Sequence, residues 1–280
     1  MTSPAAPIIE AHGISETGSV RQDNQDAIRV CDPDDELAAL HGHTYGIADG
    51  MGGYEHGGVA SATALDLFFS TFYNSNGSKP VSKLRAAVQQ ANTGVYQTAV
   101  RIGALRMGTT LSVANLVGDQ LNIAHVGDSR IYLVRSGQAT CLTNDHTMVG
   151  ELVRMRVLSP DKVRAHNQRS ILNKCLGIDL FVQPDVTQVP VREGDVIILC
   201  SDGVWSMVED DDFAHLATSI PDVSRLSREL VGLALERDSD DNASAIAVRV
   251  QQLGGLPATT GQRRPFGLGQ LFRNRLSGNA

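Results

Sequence analysis

The spacing of apolar residues divides the chain into its elements. From Ala11 to Val30 it predicts an extended segment, a polar loop through Glu16-Thr17-Gly18-Ser19, and a short strand at Ala27-Ile28-Arg29-Val30. The intervening run Arg21-Gln22-Asp23-Asn24-Gln25-Asp26 is too polar for a core. Cys31 to Glu36, acidic and proline-containing, predicts a solvated loop, after which a short apolar run ends at Tyr45-Gly46-Ile47-Ala48-Asp49-Gly50. Val59 to Tyr73 is apolar and rich in alanine. Val81 to Ile102 sets Leu84, Val88, Ala91, Val95, Ala99 and Ile102 three or four apart, the stripe of a helix. Asn74 to Pro80 supplies the break between these two helices.

From Thr109 the period changes to two. Thr110 to Val117, Leu121 to Val126, Ser129 to Val134 and Ala139 to Leu142, with turns at Gly118-Asp119 and Ser136-Gly137, predict an antiparallel meander. Asp145 to Gly177 is polar and reads as mostly helical, with a helix start at Ser159-Pro160-Asp161. An excursion of that length between strands suits a lid over a site. Asp195 to Cys200 is a continuous apolar run, as expected of a buried strand. Asp210 to Ala217 and Val223 to Glu236 predict helices, and Ala243 to Val250 a last strand. Beyond Leu253, Gly, Pro, Thr and Arg take over, with four arginines and no acid, which predicts a flexible basic tail over 253–280. Its stretch Leu268 to Leu276 could form a short basic amphipathic helix against a partner; a solvated tail with no partner is the simpler reading.

The predicted strands share a grammar at their ends. Asp49-Gly50 closes one apolar run, Asp202-Gly203 closes another, Gly127-Asp128 follows a third, and Asp26 and Asp241 stand just before strands. Glycine lets backbone approach whatever the carboxylate holds. A single Asp-Gly after a strand is equally the chemistry of an ordinary turn. If the five ends converge, however, their like charges need cations, and oxygen-only ligands select hard divalent ions. No softer site competes: His41-x-His43 is the one close histidine pair, expected in a loop, and Cys31, Cys141, Cys175 and Cys200 form no CxxC pair. Reduced, buried thiols are the expectation for the cysteines.

Composition narrows the classes. With 280 residues, 42% hydrophobic and 20% charged, the chain can bury a sizeable core, as one large domain with a tail or as two small ones. A net charge of −7 argues against a nucleic-acid partner, which would require a basic face. No run is long enough to cross a bilayer, and Met1 to Pro7 lacks the pattern of a secretory signal, so a cytoplasmic address is expected.

The ordered motifs carry a family resemblance. Gly18-x-x-Arg21-x-x-Asn24-Gln25-Asp26, Ala48-Asp49-Gly50-Met51-Gly52-Gly53, Gly108-Thr109-Thr110, Val126-Gly127-Asp128-Ser129-Arg130, Leu142-Thr143-x-Asp145-His146, Leu172-x-x-x-Leu176-Gly177, Cys200-Ser201-Asp202-Gly203-Val204-Trp205 and Asp241-Asn242-x-Ser244-x-Ile246 run in that order. Between about Gly13 and Val250 the chain resembles the metal-dependent serine/threonine protein phosphatases of the PPM (PP2C-type) family, in their compact bacterial form. The resemblance implies an α+β fold, a four-layer αββα sandwich of two antiparallel sheets flanked by helices, over residues 8–252 with a flap at about 146–170. It implies two Mn²⁺ or Mg²⁺ ions, with Asp49 bridging them, the Gly50 carbonyl completing one sphere, Asp202 and Asp241 on the other ion, and Asp26 acting through metal-bound water. Asp128 with Asp202 matches the place of a third, weaker ion, and Arg21 that of the phosphate-binding arginine. The implied reaction is hydrolysis of phosphoserine and phosphothreonine by a water bridging the two cations, so that no protein nucleophile is needed and Cys200 is structural. The implied partners are phosphoproteins made by a Ser/Thr kinase, with the enzyme acting as a monomer.

Two departures stand out. Met51 occupies the position of a histidine proposed as general acid in animal members, and Tyr54 and Gly58 replace the His and Glu of many bacterial relatives. His56 is near enough in sequence to substitute as the acid, although a plain surface histidine is the simpler reading. Two rival functions keep the fold: a catalytically silent regulatory or binding module, whose signature would be a lost carboxylate, and a phosphatase of a small phosphorylated metabolite.

Overall fold

The strand at Val196–Cys200 is buried on both sides, and its two sets of neighbours define the layers. Ile197 and Leu199 join Tyr45, Ile47, Ile246 and Val248 in one apolar cluster, whereas Val196, Ile198 and Cys200 join Phe213, Leu226 and Leu230 in another. Successive side chains of a strand point to opposite faces, so this strand lies between a second sheet and a layer of helices.

The computed structural model describes residues 7–31, 36–51, 56–75, 79–104 and 106–253. In chain order the elements are β1 (Ile8–Glu16), β2 (Asp26–Val30), α1 (Glu36–His41), β3 (His43–Met51), α2 (Gly57–Asn74), α3 (Pro80–Ile102), β4 (Gly108–Thr109), β5 (Leu111–Val117), β6 (Gln120–Val126), β7 (Arg130–Arg135), β8 (Gln138–Cys141), α4 (Met148–Arg154), a single 3-10 turn (Pro160–Lys162), β9 (Asp185–Pro190), β10 (Val196–Cys200), α5 (Asp202–Trp205), α6 (Asp210–Ser219), α7 (Val223–Glu236) and β11 (Ala243–Gln252). One sheet has the order β1-β11-β10-β7-β8; the other has β2-β3-β5-β6-β9, with β4 paired to β3. Every pairing is antiparallel. Helices α2 and α3 pack on the second sheet through Ala60, Ala64, Phe68, Leu84 and Val88, and α6 and α7 pack on the first through Phe213, Leu226 and Leu230. The expected α+β sandwich of layers αββα is the observed fold.

The helices are closed by their sequence. Pro80 opens α3, and Gly103, at φ 74°, ends it in the left-handed region. Glu209 and Asp212 cap α6 reciprocally, and the Asp222 carboxylate accepts from Arg225 N at the start of α7. The Thr147 hydroxyl caps α4 in the same way, accepting from Gly150 N.

Several expectations need correction. The meander is not one sheet: β5 and β6 belong to the second sheet and β7 and β8 to the first, with Gly127-Asp128-Ser129 crossing between them. Gly127 has φ 110°, and a Cβ there would meet Thr110 Cγ2 at 2.5 Å, so this crossing needs glycine. The excursion from Asp145 to Gly177 is mostly irregular, holding only α4 and the 3-10 turn. Its apolar Met155 and Val157 are exposed and form no buried stripe, and Arg156 at φ 59° stops α4 from continuing. Helix α1 and strand β9 have no counterpart in the sequence reading. His41 ends α1 and His43 opens β3, so the histidine pair brackets a turn between elements. No disulfide joins the four cysteines, but only Cys31 and Cys200 are buried; Cys141 and Cys175 are half-buried. Residues 32–35, Gly52, Gly53, Tyr54, and 254–280 with the predicted tail helix lie outside the described residues.

Candidate active site

The register brings the aspartates to one end of the sandwich. Asp26 and Asp49 are direct partners across β2 and β3. Cys200 at the end of β10 pairs with both Arg130 at the start of β7 and Ala245 near the start of β11, so Asp202, Asp128 and Asp241 emerge at the same end. A cavity of about 750 Å³ opens there, lined by Arg21, Asp49, Gly50, Asp128, Asp202 and Asp241 among others. Asp26 sits behind it, beside Asp49.

Each carboxylate is held by its own fittings. The Asp49 backbone is fixed on both sides: its N–H donates to Thr110 Oγ1 at 2.8 Å, and its carbonyl accepts from Thr110 N and Thr109 Oγ1, each at 2.8 Å. Gly50 N donates to Gln25 O at 3.1 Å, and a Cβ on Gly50 would lie 2.0 Å from Gly57 O, so the chain passes α2 too closely for any side chain. Ser201 Oγ and Ser244 Oγ donate to the same Asp26 oxygen, Oδ2, at 2.8 and 2.6 Å. Asn242 ties the Arg21 loop to β11, accepting from Gln25 N and donating to Thr17 O and Asp23 O.

Asp128 stands on a braced corner. Trp205 Nε1 donates to its carbonyl at 2.9 Å, the Arg130 guanidinium stacks on that indole at 3.6 Å, and Arg130 forks onto Asp145 at 2.9 and 2.6 Å. Next to it, His146 N donates to Gly127 O and His146 Nδ1 accepts from Gly127 N. Asp145 and His146, residues of one motif, thus brace Asp128 from two sides.

Electrostatics follow from this crowding. Burial, then the neighbouring Asp202 and Asp241 charges, push Asp26 up to about 7 against the pull of its two serine bonds. Burial and Asp241 push Asp202 up to about 6. Asp49 and Asp128 are raised well above the carboxylate range, by burial first and then by the surrounding aspartates. In surface area Asp26, Asp49 and Asp202 are only half-buried; Asp49 and Asp202 open towards the cavity while protein encloses their other sides. The neighbouring Asp49 side chain opposes the rise at Asp202, together with the Arg169 and Arg21 charges. Arg21 Nη2 donates to Asp241 Oδ2 at 2.7 Å and Nε to Asp240 O at 3.2 Å. With these pairings in place, no three His, Cys, Asp or Glu side chains among the described residues close on one point.

The donor set nevertheless suits a hard cation. Asp26 Oδ1 and Asp202 Oδ1 are buried and have no hydrogen-bond partner, a costly arrangement unless something positive satisfies them. All the available ligand atoms are oxygens, and a cation would relieve the repulsion among the aspartates that helps to raise Asp49 and Asp202.

The chain matches the family model for protein phosphatase 2C over residues 10–243. It belongs to that family. Among curated members of the protein phosphatase 2C family and their kin, it is 34% identical over 237 residues to the serine/threonine protein phosphatase PstP of Mycobacterium tuberculosis, covering 84% of this chain and 44% of that protein. It thus spans less than half the length of that relative. It is 30% identical to the serine/threonine phosphatase stp of Listeria monocytogenes, covering 84% of this chain and 93% of that one. Among solved structures, the catalytic domain of PstP in complex with two manganese ions superposes with a TM-score of 0.75 at 29% identity, over 87% of this chain and 99% of that one. Stp1 of Staphylococcus aureus gives 0.80 at 29%, over 90% and 98%.

All the residues singled out from the sequence, Arg21, Asp26, Asp49, Gly50, Asp128, Asp202 and Asp241, meet at this end of the fold. His56 precedes α2 and is not among the residues that line the cavity. Thr110, Ser201 and Ser244 acquire roles that sequence reading had not assigned. Their signal was their place inside the aspartate motifs. Asp240 and Gln22, which also line the cavity, carried no such signal.

Proposed function

We propose that the chain is a metal-dependent phosphatase acting on phosphoserine and phosphothreonine in proteins, with the carboxylate cavity as its active site. The observation that carries this reading is the pair of buried, unpartnered oxygens Asp26 Oδ1 and Asp202 Oδ1 within a cluster of aspartates driven to hold protons. The two manganese ions of the PstP catalytic domain, on a fold this chain shares, support it.

On this reading Asp49, the Gly50 carbonyl, Asp202 and Asp241 would hold two Mn²⁺ or Mg²⁺ ions. Asp26 would support them through water, and Asp128 with Asp202 would hold a third, weaker ion. When bound, such a pair supplies Lewis-acid polarisation of a phosphoryl oxygen and lowers the pKa of a water. The chain's own residues do the rest. Arg21, at the cavity mouth, presents a planar fork that suits two phosphate oxygens once Asp241 is engaged by a cation. Thr109 and Thr110 keep the Asp49 backbone from shifting, and Ser201 and Ser244 keep Asp26 in one rotamer. Met51, in the cavity wall, has no proton to give, so the leaving oxygen would take its proton from water or from another side chain. Cys200 is no rival nucleophile: it is fully buried, and burial pushes its thiol pKa up.

The substrates in this account are proteins phosphorylated by a Ser/Thr kinase, and the enzyme acts on them as a monomer. Among the described residues no helix is long and apolar enough to cross a membrane. The experiment is phosphate release from an aryl phosphate and from a phosphothreonine peptide, with Mn²⁺, Mg²⁺ or chelator. Turnover of both with metal and neither with chelator is expected; no turnover with any added metal would overturn the proposal.

A further inference from the structure

A second cavity, of about 480 Å³, adjoins the catalytic one. The two share Met51, Ser170 and Leu172, so they form one continuous opening. The far wall of the second carries Ile178, Phe181 and Val182, on the segment between the excursion and β9. Phe181 is 83% exposed, its neighbour Leu180 58% and Ile178 40%. Single exposed apolar residues are ordinary; a cluster of them rimmed by polar residues marks an interaction site.

The segment is fastened from behind. The buried Asn92 of α3 donates to Asp179 O at 2.9 Å and Leu180 O at 3.2 Å and accepts from Gly177 N at 2.9 Å. Gln89 donates to Leu180 O at 2.9 Å and accepts from Val182 N at 3.3 Å. Leu176 exchanges backbone hydrogen bonds with Thr109, the residue whose hydroxyl donates to Asp49 O. The wall is therefore tied to the strand that carries the catalytic carboxylate, and its apolar side chains face water on a rigid backbone. Such preorganisation lowers the entropic cost of binding. Lys174, the cation in this cavity, is ion-paired with Asp185 at 3.3 Å, and Asp179 adds negative charge, so a second phosphate or an acidic segment is not the matching ligand.

We infer that this groove receives an apolar side chain of the substrate protein, a few residues from the phosphorylated one. The inference rests on the phosphatase reading above. An extended segment advances about 3.3 Å per residue, so a side chain two or three positions from the phosphoresidue reaches roughly 7–10 Å along it, into the adjoining space. The groove then acts as a specificity site, selecting phosphosites with an apolar flank.

The test is a set of alanine-rich phosphothreonine peptides with one leucine placed at each flanking position in turn. The wild-type protein should show a rise in kcat/KM of roughly tenfold for leucine at one or two adjacent positions, in line with burial of one large apolar side chain. Phe181→Ser and Ile178→Ser should abolish that preference while leaving aryl phosphate turnover within about twofold, since neither residue lines the catalytic cavity. A flat leucine scan with an active wild-type protein, or a preference that survives both substitutions, overturns the inference. So does a flat scan together with a dimer that Phe181→Ser dissociates in sedimentation, which would make the groove a self-association face. Failure of the phosphatase reading looks different: neither aryl phosphate nor any peptide is hydrolysed. Fluorescence anisotropy of the same labelled peptides then reads the groove directly. Leucine-dependent binding lost in Phe181→Ser supports it, and binding indifferent to leucine overturns it.

Discussion

Arg21 and Asp241 face each other across 2.7 Å, so the residue best shaped for a phosphate is held by a carboxylate expected on a metal. Both side chains are partly exposed, and a pair of that kind contributes little to folding. Its consequence is competition: a cation that takes Asp241 releases the guanidinium towards the cavity.

Arg21→Ala and Arg21→Lys separate the two roles. Loss of charge-assisted bonds to phosphate should lower kcat/KM for a phosphopeptide by roughly 10- to 100-fold in Arg21→Ala, and by less in Arg21→Lys, which keeps charge without the fork. Mn²⁺ affinity, measured by titration calorimetry, should hold or tighten, because Asp241 is freed. A weaker Mn²⁺ affinity with unchanged catalysis would contradict this.

Ser201 and Ser244 act on Asp26 alone among the aspartates. Each donates to Oδ2, leaving Oδ1 free to face a ligand. Ser201→Ala and Ser244→Ala should each weaken Mn²⁺ binding, and the double variant by about 10- to 100-fold, the usual range for residues that orient a metal's ligands. Calorimetry of Mn²⁺ binding reads this without turnover. Full affinity in the double variant would remove the positioning role.

The pKa shifts set a pH dependence of definite sign. Asp26 and Asp202 rise from 3.8 to about 7 and about 6, mainly through burial. Between those limits the folded, metal-free protein holds protons that the unfolded chain has released. Their stabilising contribution is therefore full below about pH 4 and is lost as pH rises through about 6 to 7. Asp49 and Asp128 act in the same direction. His125 opposes them: burial lowers it from 6.5 to about 4, so its contribution is present at higher pH and lost on acidification. His41 and His43 are likewise lowered by burial, but above about pH 6.5 all three imidazoles are neutral in both states, so thermal midpoints in chelator should fall from about pH 6.5 to about pH 8. Saturating Mn²⁺ should remove that decline by replacing the protons. A midpoint that rises with pH in chelator would contradict the shifts.

Much of this was legible in the sequence, for physical reasons. Ile197 and Leu199 alternate with Val196 and Ile198 in a run apolar throughout, and that pattern belongs to a strand buried on both faces. The Asp-Gly pairs marked backbone that must pass close to something, and at Gly50 that is Gly57 O. What escaped depends on contacts distant in sequence. The crossing at Gly127 is dictated by Thr110, and the serine pair on Asp26 exists only once β10 lies beside β11. Strand β9 buries only Val189 and pairs along one edge, too little apolar signal to announce itself. The irregular excursion buries Val149, Val163 and Leu176 singly while Met155 and Val157 stay exposed, so its apolar residues follow no period that would announce an element.

Gly127→Ala tests the braced corner. The new methyl group would meet Thr110 at 2.5 Å in a backbone region that alanine avoids, so a loss of roughly 2 kcal/mol or more is expected in denaturant unfolding. Asp128 moves with that turn. A variant as stable as the parent would mean that the crossing is looser than its contacts indicate.

The most direct test of the central claim is anomalous diffraction from a crystal of this chain soaked in Mn²⁺. Two manganese peaks, both in contact with the Asp49 carboxylate and one also with Asp202 and Asp241, are the predicted result. A single peak away from Asp49, or none in the cavity at saturating Mn²⁺, would contradict the account.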